Sequence, residues 1–315
     1  MNPKELRIVF FGTPLFAAHI LENLIEAGYS VVAVVTAPDK PAGRGLKINQ
    51  SEVKRVALQY QIPILQPESL KSTDFLNQLI AFSPQIQIVV AFRMMPESVW
   101  SLPPYGTFNL HASLLPQYRG AAPIQWAIIN GETTTGLTTF LLDKQIDTGM
   151  ILLREPLEVQ KGETAGQLHD RMMVRGAILV CKTIDALALG NVKPLAQDIL
   201  VDDNTELKNA PKILKEHCEI DWNKPARTIL ALIRGLCPMP GAFTTFSHGN
   251  KTHLLKIYEA DAEIKPHNYK PGELVTDGKT ALSFATPDGF IHLRTLKLEG
   301  KKQVTAIEFL RGYRF

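Results

Sequence analysis

The sequence predicts an α/β chain: a doubly wound, mostly parallel sheet followed by a smaller β-barrel or sheet. Three observations carry this. Continuous apolar runs alternate with stretches of helical periodicity up to about residue 190, a polar irregular stretch follows, and short alternating segments separated by turn residues come after it. A length of 315 residues suits two domains. With 45% hydrophobic and 21% charged residues, each can bury a core, which excludes a disordered or collagenous chain.

Leu6–Phe11 is a strand apolar but for Arg7, and Leu15–Ala27 sets Phe16, Ile20, Leu24 and Ala27 on one helical face before the strand Val31–Val35. Ser51–Tyr60 places Val53, Val56, Ala57 and Tyr60 on one side, with Ser51 available as its cap. A helix at Asp74–Phe82 and strands at Ile86–Ala91 and Thr107–Leu110 follow. A short helix at Ala122–Asn130, strands at Gly136–Leu142 and Met150–Leu153, and a long helix at Glu163–Leu189 complete the first part. Strands apolar on both faces imply a sheet covered by helices, with ligands gathering at the carboxyl ends of the strands.

Between Gly190 and Pro211 the chain reads as a linker, with Pro194, Asp198, Asp202, Asp203 and Asn204. Beyond it, Lys224–Arg234 has helical spacing. Ile291 and Leu293 then alternate with His292 and Arg294, and Asp277-Gly278 and Asp288-Gly289 supply turns.

The net charge of +3 is too close to balance to argue for nucleic acid or membrane binding. It is unevenly spread: residues 1–204 carry 17 basic and 19 acidic side chains, residues 205–315 carry 17 and 12, so the small domain is the basic one. That surplus is either ordinary surface lysine or a polyanion-binding face. Three separated cysteines, Cys181, Cys218 and Cys237, suggest neither a disulfide framework nor a thiolate zinc site, and make a reducing cytoplasm the expected compartment. Leu6–Phe11 is too short for a signal peptide core, and no apolar run approaches the roughly 20 residues that span a bilayer.

Chemistry concentrates in Asn109-Leu110-His111-Ala112-Ser113, where alternation puts an amide, an imidazole and a hydroxyl on one face at a strand end. Either these groups converge on a substrate or they are satisfied by nearby backbone. The turn Pro116-Gln117-Tyr118-Arg119-Gly120 and the loop Gln145-Ile146-Asp147-Thr148-Gly149 both follow strands. Asp147 is placed either to reach the imidazole or to form an Asx turn. Phe11-Gly12-Thr13-Pro14 lacks the glycines of a dinucleotide loop, and neither a G-x-S-x-G elbow nor an H-E-x-x-H helix occurs. Thr36–Lys47 is a proline-, glycine- and base-rich loop from which Arg44, flanked by two glycines, can project.

Together, Phe11–Pro14, Pro41-Ala42-Gly43-Arg44-Gly45, Asn109–Gly120, Ala121–Gln125 and Ile146–Gly149 resemble the methionyl-tRNA formyltransferase family, nearly end to end. The resemblance implies a Rossmann-like catalytic domain over 1–190, a linker over 191–210 and an OB-like tRNA-binding domain over 211–315. It implies transfer of a formyl group from 10-formyltetrahydrofolate to the amine of initiator methionyl-tRNA, with no metal, by a cytoplasmic monomer. Asn109, His111 and Asp147 would be catalytic. Phe92, Arg93, Met94, Ser113, Leu114, Leu115, Pro116 and Asp143 would contact the folate, and Arg44, Lys40 and Lys47 the tRNA. The alternative acceptor within the class is an amino-sugar nucleotide. Two segments depart from the family: Phe92–Pro96 is one residue shorter after Ala91, and Leu236-Cys237-Pro238-Met239-Pro240 lacks the aromatic usual there.

Overall fold

The computed structural model describes residues 2–42, 47–201, 206–248 and 251–313. Arg44 lies outside the described residues. The chain divides into two compact units that do not meet at a single cut in the sequence. One comprises 1–120, 135–157 and 169–209; the other comprises 121–134, 158–168 and 210–315.

The first unit opens with β1 (Ile8–Gly12), buried throughout, α1 (Leu15–Glu26) and β2 (Val31–Val35). A short antiparallel hairpin, β3 (Lys40–Ala42) and β4 (Lys47–Asn49), stands where the sequence suggested only a loop. Next come α2 (Glu52–Gln59), capped by Ser51 accepting from the Lys54 N–H, β5 (Ile64–Leu65), and α3 (Thr73–Ala81), capped by Ser72. Strand β6 (Ile86–Val90) leads through the short α4 (Glu97–Trp100) to β7 (Thr107–His111) and the two-residue β8 (Arg119–Gly120).

Helix α5 (Pro123–Ile129) belongs to the second unit, and β9 (Thr134–Leu141) and β10 (Ile151–Glu158) complete the main sheet in the order β10-β9-β7-β6-β1-β2-β5. The pairs β1–β2, β1–β6, β2–β5 and β6–β7 are parallel, and β7–β9 is antiparallel. This is the Rossmann-like, mostly parallel sheet. From β1 the order runs one way to β2 and β5 and the other way to β6 and β7, so the switch point lies at the carboxyl ends of β1 and β6.

Alternation along the strands builds both faces. Val9, Phe11, Ala33, Val35 and Val89 pack with Phe75 and Leu79 of α3 and Val99 of α4. On the opposite face α6 (Ala165–Ala188) approaches so closely that a Cβ on Gly176 would lie 2.8 Å from Leu110 Cδ2 and within 4 Å of Ile20 and Phe16. At the switch point a Cβ on Gly12 would stand 2.6 Å from the Ala17 Cβ, so only glycine lets the strand end and α1 meet there.

In the second unit a two-residue β11 (Asn209–Ala210) begins the final stretch, and α7 (Ala226–Gly235) precedes β12 (Ala242–His248), β13 (Lys251–Ile264), β14 (Leu274–Thr276), β15 (Leu282–Thr286), β16 (Gly289–Leu298), β17 (Val304–Thr305) and α8 (Ala306–Gly312). The sheet runs β12-β13-β16-β15-β14, with β17 on β16. Pairing of β13 with β16 slips between Ile257 and Glu259 and again before Ala260. Such bulges bend a long strand, and the sheet curls into an antiparallel half-barrel of OB-like form. Ile229 and Ile233 of α7 pack into it with Leu255, Ile257, Phe284, Ile291 and Leu296. The alternation of Ile291 and Leu293 inward against His292 and Arg294 is as the sequence suggested.

Candidate active site

The site grows from the end of β7. Asn109 pairs with Val89 on one side and Phe140 on the other, and His111 pairs with Thr138, so both side chains leave the same face of a strand held from two sides. The strand ends at His111. Ser113, expected to extend the alternation, is fully buried in the following turn, where its hydroxyl donates to the Gln117 carbonyl at 2.6 Å. Thr138 locks that turn by donating to the Ser113 carbonyl and accepting from the Leu115 N–H. The side chain of Leu115 is also fully buried, against Phe140 and Ile151. The convergence therefore involves an amide and an imidazole, and not a hydroxyl.

His111 is 7% exposed. Its Nε2 lies 2.8 Å from the Tyr118 carbonyl oxygen, which can only accept, so Nε2 carries the hydrogen. In the neutral ring Nδ1 is therefore the bare nitrogen, and it stands 3.8 Å from Asp147 Oδ2. Tyr118 reaches this position with φ of 60°, and its own N–H donates to the Lys208 carbonyl at 2.7 Å. The Asn109 amide is half-buried and takes part in no protein hydrogen bond among the described residues, which leaves it open to a ligand.

Asp147 lies in the loop between β9 and β10 at φ of 56°, a left-handed conformation uncommon outside glycine. Its Oδ2 accepts the Gly120 N–H at 2.9 Å. Gly149 holds the loop flat against β9, since a Cβ there would fall 1.7 Å from the Leu141 carbonyl oxygen. A further residue, invisible to the motif reading, secures this loop. Gln197, 3% exposed, donates to the carbonyls of Asp147 at 3.0 Å and Gly149 at 2.8 Å, while its oxygen accepts from Arg119 Nε and Nη2. It comes from the stretch read as a polar linker. That stretch instead pairs Leu195 with Ile151 and then forms a turn of 3-10 helix at Gln197–Leu200.

The other expected residues are dispersed around these. Phe92 packs edge-on to Phe11, Arg93 donates to the Glu68 and Pro67 carbonyls, and Met94 is 72% exposed. Asp143 closes its own loop by accepting from the Gln145 N–H and the Thr148 hydroxyl. It borders an open cleft of about 500 Å³ that is also lined by Leu142, Met150, Arg119 and Gln197. Lys40 is exposed on β3. The base of its loop is anchored, because Asp39 accepts from Lys54 Nζ and Gln66 Nε2, and Gln66 also donates to the Ala37 carbonyl. The Lys54 hydrogen bond, with help from Gln66, holds the Asp39 carboxyl below its usual range. Among the described residues no group of three His, Cys, Asp or Glu is arranged to hold a metal ion, and no helix is long and apolar enough to cross a membrane.

The sequence profile of the formyl transferase family matches residues 6–184, and that of the formyl transferase C-terminal domain matches 212–314. A methionyl-tRNA formyltransferase of Bacteroides fragilis is 49% identical over 314 residues, covering 99% of this chain and 97% of that one. The chain belongs to the methionyl-tRNA formyltransferase family. The enzyme of that name from Phocaeicola vulgatus is 50% identical over 316 residues, covering 100% of this chain and 98% of its own. Among solved structures, the N-formyltransferase of Helicobacter canadensis in complex with folinic acid and dTDP-3-aminofucose superposes with a TM-score of 0.64 at 18% identity, over 91% of this chain and 98% of that one. That likeness extends beyond methionyl-tRNA formyltransferases and is one of fold.

Proposed function

We propose that this chain transfers the formyl group of 10-formyltetrahydrofolate to the α-amine of methionine on initiator tRNA, as a cytoplasmic monomer. One observation carries the reading: Asn109 and His111 leave the end of one strand with Asp147 facing the His111 ring at 3.8 Å, in a chain about half identical to methionyl-tRNA formyltransferases.

The amine nitrogen attacks the formyl carbon, and negative charge gathers on the formyl oxygen. The open amide of Asn109 donates to that oxygen, which a fixed donor stabilises more in the intermediate than in the ground state. With Nε2–H committed to the Tyr118 carbonyl, proton exchange at His111 takes place at Nδ1, beside the Asp147 carboxylate. The amine gives up a proton and the departing folate nitrogen gains one as the C–N bond to folate breaks. Nδ1, paired with Asp147, holds the proton between these events. No oxidation or reduction occurs.

For the donor we assign the Phe92–Met94 loop, the Leu114–Pro116 turn and Asp143. Ser113 and Leu115, being fully buried, offer it backbone only. We assign residues 1–190, together with Gln197, to catalysis, the rest of 191–210 to the connection, and 211–315, with Arg44, Lys40 and Lys47, to the tRNA. Phosphate contacts of that kind confer salt dependence, so replacing one of these basic residues should lower the slope of log affinity against log salt by about 1.

The test combines purified protein, 10-formyltetrahydrofolate and methionine-charged initiator or elongator tRNA. Formylmethionine on the initiator alone is expected. Transfer to a dTDP-amino sugar in preference to tRNA would replace this reading with that of a sugar-nucleotide enzyme.

A further inference from the structure

We propose that Gln197 is a positioning residue for formyl transfer, setting the Asp147 carboxylate against the His111 ring from outside the catalytic motifs. The proposal rests on the formyl-transfer reading above.

Four bonds converge on one buried amide. Its nitrogen donates to the carbonyls of Asp147 and Gly149, and its oxygen accepts two N–H groups of Arg119. These are the two segments that meet at the carboxylate, because the Gly120 N–H, next in sequence to Arg119, donates to Asp147 Oδ2. Tyr118, preceding Arg119, supplies the carbonyl that fixes the ring through Nε2. A single side chain thus bridges the backbone carrying the acid and the turn orienting the base. The bridge has work to do, since Asp147 and Tyr118 both hold positive φ and neither loop adopts its shape by local preference. Gln197 is itself held, because Leu195 exchanges both backbone hydrogen bonds with Ile151 and Leu195 and Leu200 pack on Leu115, Phe140 and Ile151.

Displacing a reacting group by about 1 Å costs about 10²-fold in rate, so a loosened Asp147 loop should lower kcat and spare substrate binding. Two variants separate the parts. Gln197→Met keeps the volume and removes all four bonds. Gln197→Glu keeps the acceptor for Arg119 and sets a carboxylate against the two carbonyls. Both should lower kcat about 10- to 100-fold with KM for 10-formyltetrahydrofolate within about twofold of the parent. Both should also move the His111 Nδ1 resonance in 15N spectra at fixed pH, a signal that a role in general stability alone leaves in place. Gln197→Glu failing to do better than Gln197→Met shows that donation to the loop is what matters. If either folded variant has parental kcat and an unmoved His111 resonance, the proposal is overturned. If the parent transfers no formyl group while the variants still shift His111, the formyl-transfer reading fails and the positioning role stands.

Discussion

At the scale of single residues, the proposed roles separate the groups facing the substrate from those that hold them. Asn109→Ala removes the open amide and should lower turnover about 10²–10³-fold, and His111→Ala or Asp147→Asn should lower it about 10²–10⁴-fold. Single-turnover formylation measures both, and melting temperatures close to the parent's for Asn109→Ala would confirm that the loss is chemical. Gly149→Ala should also inactivate, since its Cβ would overlap the Leu141 carbonyl and push the Asp147 loop away. A fully active Gly149→Ala enzyme would mean the loop's conformation is irrelevant to turnover. The Asn-x-His pair was legible in the sequence because a strand's two-residue period places it on one face. Ser113 was misplaced by the same rule, which stops applying where the strand does. Gln197 was not legible, because an amide bonding to backbone carbonyls leaves no periodicity and no motif.

At the scale of elements, the fully apolar β1, the α1 stripe and the Ser51 cap were all readable, since burial on both faces and a capping hydroxyl are local properties. Helix α8 carries its start signal in the sequence. Thr305 accepts from the Glu308 N–H while Glu308 accepts from the Thr305 N–H, the reciprocal capping box spelled T-x-x-E. Thr305→Ala should cost about 1 kcal/mol, seen as a lower urea midpoint and faster hydrogen exchange in 306–312. The hairpin β3–β4 had no such signal, since three-residue strands lack a period. In the curled sheet, Phe284 is buried and stacked on Trp222 with centroids 4.5 Å apart, so Phe284→Ala should cost about 3–5 kcal/mol by denaturant unfolding.

At the scale of the whole molecule, several carboxyls of the second unit titrate below their ordinary range. Asp277 is held down mainly by the Ala281 N–H, together with the Thr280 hydroxyl and the Lys279 and Thr280 N–H groups, Asp288 mainly by the Ala226 N–H, and Glu308 by Thr305. A carboxyl whose pKa is lower folded than unfolded contributes stability above the unfolded value and loses it as pH falls through the folded one. Stability of this unit should therefore be full at neutral pH and decline as the pH drops below about 4, measured as falling urea midpoints. A flat profile down to pH 3 would contradict these assignments.

The threading of the chain through its two units bears on how such a protein can be divided. Helix α5, early in the sequence, packs against α7, where a Cβ on Gly235 would come within 2.5 Å of Ile129 Cγ1. A fragment ending near residue 204 would carry α5 with its apolar side stripped of α7, so expression of that fragment alone should yield insoluble material. Recombination between relatives should succeed only where a crossover brings α5 and α7 from the same parent.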